Sequence, residues 1–412
     1  MKVIVANYRY FLSGGPERYM FNFMEAAKRK GIEVIPFSVN NPQNKETEYS
    51  KYFAKPRAKE TMYSDTKKTL GNLWGMIRAS TWNFDAERRL RKLIQATEAD
   101  VVYILHEVNH LSPSIIRAAK KERVRVVHRI SDFFMFCPKY DFLCENDICE
   151  ACIHGNYSKA LAKRCVKGSI FGTMLRVFGM KIYNWTNVFD DVDFFVSTCE
   201  FSKNKLIEGG INGKKIVCIP TFIDYLSVLP IYKNDNYFLF CGRMSHQKGT
   251  IYAVKAMSYL LETDYKLKIT GVIGESEEDK EIWNYIVENH LEDKIEFTGF
   301  VHGKKLDELI SRCTAVLCPA IWYENMPNVL IESYAHGKPV IASDIGCFKD
   351  LVFDNETGFL FMPKNSRQLA EKMMLYVNDK QLTVRHGKNA RAYCEEYFDE
   401  SSHMEKLLEI FE

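Results

Sequence analysis

Apolar positions along this chain fall into two alternating rhythms. Lys2-Val-Ile-Val-Ala6 is a short apolar run ending in a glycine turn, and from Pro16 to Arg29 apolar residues recur at helical spacing, at Tyr19, Met20, Phe23, Met24 and Ala27. Gly31 closes that helix and Ile32–Pro36 opens another strand, so the pattern predicts a βαβ unit. Further apolar runs of strand length stand at 101–105, 124–127, 193–196 and 216–219. The rhythm resumes at 237–241, 266–270, 295–297, 315–318 and 339–342, with helical patterns between, as in 250–261 and 280–289. Strands alternating with helices imply parallel sheets covered on both faces. Each half has its own set, which predicts an α/β protein of two Rossmann-like, doubly wound domains. Periodicity lapses at 225–236, where Pro230 and polar residues gather, so the division falls there: 1–224, then 225–380. The tail, 381–412, is helical in pattern and is expected to pack back on the first domain.

Length fits two domains, since 412 residues exceed one ordinary core. With 46% apolar and 26% charged residues the composition is globular. Neither a long apolar leader nor a run of membrane-spanning length is visible, so a cytoplasmic protein is expected. Charge is uneven. Residues 1–225 hold 35 Lys and Arg against 24 Asp and Glu, a net of +11, and residues 226–412 hold 21 against 29, a net of −8. Two basic stretches also carry apolar side chains: 51–92, with Tyr52, Phe53, Tyr63, Trp74, Trp82 and Phe84, and 158–181, with Phe171, Leu175, Val177 and Phe178. That composition suits an anionic membrane surface, with a solvated charged face as the plain alternative. No nucleic-acid motif accompanies the charge, so nucleic acid is not expected as a partner.

Three stretches carry candidate chemistry. Ser13-Gly-Gly-Pro-Glu-Arg18 joins the first strand to the first helix, where glycines allow close approach and amides attract anions; a plain tight turn also favours them. In Cys241-Gly-Arg-Met-Ser-His-Gln-Lys-Gly249, Arg243 offers a fork and Lys248 a point charge to phosphates, or both are solvated loop cations. Pro319–Asn328 leaves a strand and enters a helix near Pro327; Glu324 stands before it and Glu332 in its second turn. Eight positions separate the two carboxylates along a ligand, one suited to sugar hydroxyls and the other to a ribose. That spacing disfavours a glycosidase pair flanking one bond.

The ordered set SGGPER, GRMSHQKG, YENMPNVLIES and HGKPVIASDIG, followed by NETGFLF, resembles glycosyltransferase family 4, retaining GT-B enzymes that build bacterial glycolipids and surface polysaccharides. The resemblance implies two Rossmann-like lobes facing across a cleft, the first for a glycan or lipid-linked acceptor and the second for a nucleotide-sugar donor. It implies that Arg243 and Lys248 bind the donor diphosphate, with Gly15 nearby. Glu324 and the backbone of Asn325, Met326 and Pro327 would contact the transferred sugar, and Glu332 the ribose. No metal cofactor is required, because the protein supplies the cations. Asp132 would reach into the cleft near the reacting sugar, but where many members have a His-Asp pair this chain has Ser131-Asp132. His106 after the preceding strand is a substitute imidazole, or a hydrogen-bonded loop residue; His128 lies on the opposite face by strand periodicity. One CxxC, Cys149 and Cys152, with Cys144 and Cys165 could hold a structural zinc, buried free thiols being the alternative. The implied localisation is the inner face of a membrane. A GT-B nucleotide-sugar 2-epimerase and a catalytically silent GT-B binding subunit are the alternative functions.

Overall fold

The computed structural model describes residues 1–56, 81–107 and 110–412; Tyr63 and Trp74 of the first basic stretch lie outside them. Two six-stranded sheets, parallel throughout, form two lobes. The first runs in the order β2 (Glu33–Phe37), β1 (Lys2–Asn7), β3 (Val101–His106), β4 (Arg125–Arg129), β7 (Phe194–Ser197), β8 (Ile216–Cys218). The second runs β11 (Ile295–Phe297), β10 (Lys266–Thr270), β9 (Tyr237–Cys241), β12 (Ala315–Cys318), β13 (Val340–Ser343), β14 (Gly358–Phe361). A two-stranded hairpin, β5 (Leu143–Cys144) and β6 (Asp147–Ile148), belongs to an insertion after β4. The continuous apolar runs at β1, β3, β9, β12 and β13 are inner strands buried on both faces, which is why they lack polar alternation.

Strand order fixes where a ligand can sit. In both sheets the order reverses beside the first strand, between β1 and β3 and between β9 and β12. Loops leaving such neighbours diverge and open a crevice at the carboxyl ends of the strands. The segments following β1, β9 and β12 hold the Ser13–Arg18 turn, Gly242–Gly249 and Pro319–Pro327, and His106 ends β3.

Apolar clusters lie on both faces of each sheet. The terminal segment divides between the lobes. Helix Lys380–Tyr397 buries Ala390 and Cys394 in the second lobe's core with Leu330 and Tyr334. Helix Glu400–Phe411 alone crosses back, burying Met404, Leu407, Ile410 and Phe411 against Val3, Tyr19 and Tyr103 of the first lobe. Arg29 clasps Glu400 through two 2.6 Å contacts there, and His403 Nδ1 stands 2.6 Å from the Pro220 carbonyl. No helix among the described residues is long and apolar enough to cross a membrane.

Candidate active site

Glu17, nearly fully buried, organises the first glycine turn: Ser13 Oγ donates to it at 3.0 Å and Asn7 Nδ2 at 3.2 Å. Gly15 starts helix Gly15–Arg29 against the other lobe, where a Cβ would meet Asn328 Nδ2 at 3.2 Å. Three residues on, on the same helix face, Arg18 forms an ion pair with Glu332. Burial raises the Glu332 pKa, and the Arg18 charge opposes that rise. The carboxylate that the sequence assigns to a ribose is thus held by a cation from the opposite lobe. The sequence reading gave Arg18 no role, although its spacing from Gly15 was the available signal.

In the second lobe, Lys248 Nζ lies 2.6 Å from Glu324 Oε1, and Trp322 Nε1 donates to the same oxygen at 2.6 Å. Glu324 is only 8% exposed, so its charge depends on these partners. Trp322 was not singled out from the sequence; it stands two positions from Glu324 on the same loop. Arg243 is exposed and lies within electrostatic reach of Tyr140 in the first lobe's insertion, as do Asp132 and Arg176. Pro327 caps helix Asn328–Ala335, which carries Glu332, and Met326 packs partly buried beside it. Asn325 is a tether as well as a neighbour of Glu324. Its Oδ1 accepts from Thr198 at 3.0 Å and Ser202 at 2.7 Å, and its amide donates to the Ile130 carbonyl.

The departure at Ser131 has a structural resolution. Ser131 Oγ donates to the Leu105 carbonyl at 2.6 Å, while His106 Nε2 stands 3.1 Å from Asp132 Oδ2. The other Asp132 oxygen accepts the Phe134 amide at 2.9 Å. An imidazole and a carboxylate are thus paired, but from adjacent strand ends instead of adjacent residues. His128 is occupied elsewhere, 3.0 Å from the buried Glu107. Burial lowers the His106 pKa, but the hydrogen bond and charge of Asp132 outweigh it, leaving it raised. A raised histidine contributes stability that is full below its unfolded value and fades as pH rises through the folded one. Asp132→Asn should therefore lower the His106 pKa, and should cost most stability near pH 6 and least near pH 9. A titration of the His106 Cε1 resonance checks this, and an unchanged midpoint would refute the pairing.

Cys144, Cys149, Cys152 and Cys165 are free thiols. Among the described residues no three His, Cys, Asp or Glu side chains gather as a metal-holding group. Cys152 is buried with Tyr157, Val177 and Met180 and packs as a small apolar residue. Burial, and then the neighbouring Cys144, push the Cys165 thiol up to about 12.

Residues 223–393 match the family described as glycosyl transferases group 1. A Campylobacter jejuni protein named GalNAc-alpha-(1->4)-GalNAc-alpha-(1->3)-diNAcBac-PP-undecaprenol alpha-1,4-N-acetyl-D-galactosaminyltransferase is 31% identical over 45% of this chain and 50% of its own length. The chain spans about half or less of the length of the first curated relatives it matches. Anabaena HepE, solved with UDP, superposes over 99% of both chains at 17% identity and TM-score 0.69. The sucrose-phosphate synthase of Thermosynechococcus elongatus does so over 100% of this chain and 98% of its own, at 17% identity and TM-score 0.71. Residues 223–393 are thus similar to glycosyl transferases group 1, and the whole chain has the GT-B fold.

Proposed function

We propose that this protein is a retaining glycosyltransferase of the family 4 type, moving a sugar from a nucleoside diphosphate onto a growing glycan or a lipid-linked acceptor in surface-polysaccharide synthesis. The observation that carries the reading is the Arg18–Glu332 ion pair between the lobes, with the Lys248–Glu324 pair at the second sheet's reversal and the His106–Asp132 pair at the first's. Lys248 and Arg243 neutralise the diphosphate as its bond to the sugar breaks. Preorganised charge of that kind acts where charge develops. Glu324, held by Lys248 and Trp322, faces the sugar, and Glu332 exchanges Arg18 for ribose hydroxyls. His106 and Asp132 stand on the acceptor side, where the carboxylate favours the cationic sugar and imidazolium. UDP is the favoured nucleotide, since Anabaena HepE was solved with UDP and UDP-glucose. The undecaprenol-linked name of the Campylobacter relative favours a lipid-linked acceptor.

Thermal unfolding with UDP, GDP, ADP and their sugars tests the donor site, because ligands of the native state raise the melting temperature by mass action. One nucleotide-sugar should stabilise the wild type, and Arg243→Ala and Glu332→Ala should lose most of that shift. Variants that respond like the wild type would remove these residues from the site. Stabilisation without turnover on any acceptor would favour a silent binding subunit.

A further inference from the structure

Helix Ile170–Trp185 has two apolar faces and only one of them is packed. Thr173, Val177, Met180 and Tyr183 turn inward. On the opposite side Ile170, Phe171, Met174, Phe178 and Trp185 stand exposed, at 45%, 40%, 55%, 55% and 86%. At 100° per residue these five and Lys181 fall within an arc of about 100°, a stripe roughly 20 Å long. Solvent-facing aromatics and methionine gathered this way mark a contact surface. Of the apolar residues singled out from the sequence here, Phe171 and Phe178 belong to that surface; Val177 is buried and Leu175 half-buried.

Charge identifies the occupant. Residues 158–187 contain six Lys and Arg and no Asp or Glu. Lys163 is paired with Glu145, whereas Lys159, Arg164, Lys167 and Lys181 stand exposed, Lys181 within the stripe itself and Lys167 three residues before its first member, Ile170. Apolar residues flanked by cations, with no acidic residue among them, complement anionic headgroups over acyl chains.

We infer that this helix docks the protein on an anionic lipid surface, with Phe171, Met174, Phe178 and Trp185 entering the headgroup boundary and the lysines resting on phosphates. The inference deepens the lipid-linked acceptor reading above. It also accounts for the helix's position: its inward Arg176 lies over the Phe134 ring, 3.4 Å from guanidinium carbon to centroid, and the Phe134 amide is held by Asp132. One helix diameter, about 10 Å, then separates the lipid boundary from the edge of the cleft.

Co-sedimentation of the full chain with phosphatidylcholine vesicles, with and without phosphatidylglycerol and without any nucleotide, tests it. Wild type should bind the anionic vesicles, bind the neutral ones at least about tenfold more weakly, and be released by salt. Met174→Gln with Phe178→Gln should weaken binding at least about tenfold. Lys167→Ser and Lys181→Ser should each weaken it about fivefold. All four residues are exposed, so unchanged melting temperatures confirm intact folding. Equal binding to both vesicles, variants that bind like wild type, or a lipid-free dimer abolished by the Met174/Phe178 double change would each overturn the inference. Because no nucleotide is present, failure here leaves the donor-site measurement standing, and failure there leaves this one.

Discussion

Lys248→Met should lower turnover with whichever nucleotide-sugar stabilises the protein by about 10²–10³-fold, the usual cost of removing one preorganised group that meets developing charge. Binding of the donor should weaken less, because Arg243 remains. The substitution has a second effect that must be separated from the first. Glu324 is buried and loses the cation 2.6 Å from its Oε1, keeping the Trp322 N–H as its partner among the described residues. A buried carboxylate stripped of one partner destabilises the lobe by about 1–3 kcal/mol, so a melting-temperature decrease of several degrees should accompany the loss of activity. Adding Glu324→Gln removes the uncompensated charge. The double variant should recover most of the stability and none of the turnover, a coupling that single substitutions cannot reveal. Turnover within tenfold of wild type in Lys248→Met would refute its role at the diphosphate. If the double variant is no more stable than Lys248→Met, the ion pair is not what holds Glu324.

The sheets were legible because central parallel strands buried on both faces are nearly continuous apolar runs, as in Tyr237–Cys241 and Ala315–Cys318, while the more polar Lys266–Thr270 and the edge strand Ile295–Phe297 still begin and end where the sequence places them. β14 was hidden at the end of NETGFLF, where the strand character of Gly358–Phe361 comes from pairing with β13. The hairpin in the insertion was equally silent. Its two-residue strands have no period to read, and it is held across the cleft by Lys364 on Asp147 at 2.5 Å and Tyr323 on Glu150 at 2.7 Å. The same difference runs through the site. Lys248, Glu324 and Glu332 were visible as charged residues after strands or at a helix start. Arg18 was not, since it stands 314 positions from Glu332; His106 and Asp132 were both named, but 26 positions apart nothing along the chain required them to touch. Ser131-Asp132 reads as a lost histidine along the chain; in space the imidazole arrives from the neighbouring strand.

Gly249→Ala should unfold the second lobe about 10 °C or more below wild type. Gly249 has φ +70°, and a Cβ there would stand 1.9 Å from the Pro319 carbonyl oxygen and 2.9 Å from its carbon. The left-handed conformation alone costs roughly 1–2 kcal/mol for a non-glycine residue. The clash is with backbone, so it is relieved only by separating the loop after β9 from the loop after β12. Those loops are otherwise locked, Ile321 N donating to the Gln247 carbonyl at 3.0 Å. With both terms the cost should exceed about 3 kcal/mol, and each kcal/mol moves the midpoint by roughly 2–4 °C in a domain of this size. Gly299 separates the two terms, because its φ is +77° and nothing lies within 4 Å of the added carbon. Gly299→Ala should therefore show the conformational cost alone, a decrease of about 2–8 °C. Separating the loops also moves Lys248 from Glu324, so Gly249→Ala should lose nucleotide-induced stabilisation that Gly299→Ala keeps. Equal shifts in the two variants would mean that the loops part without resistance and that their contact does not build the donor site.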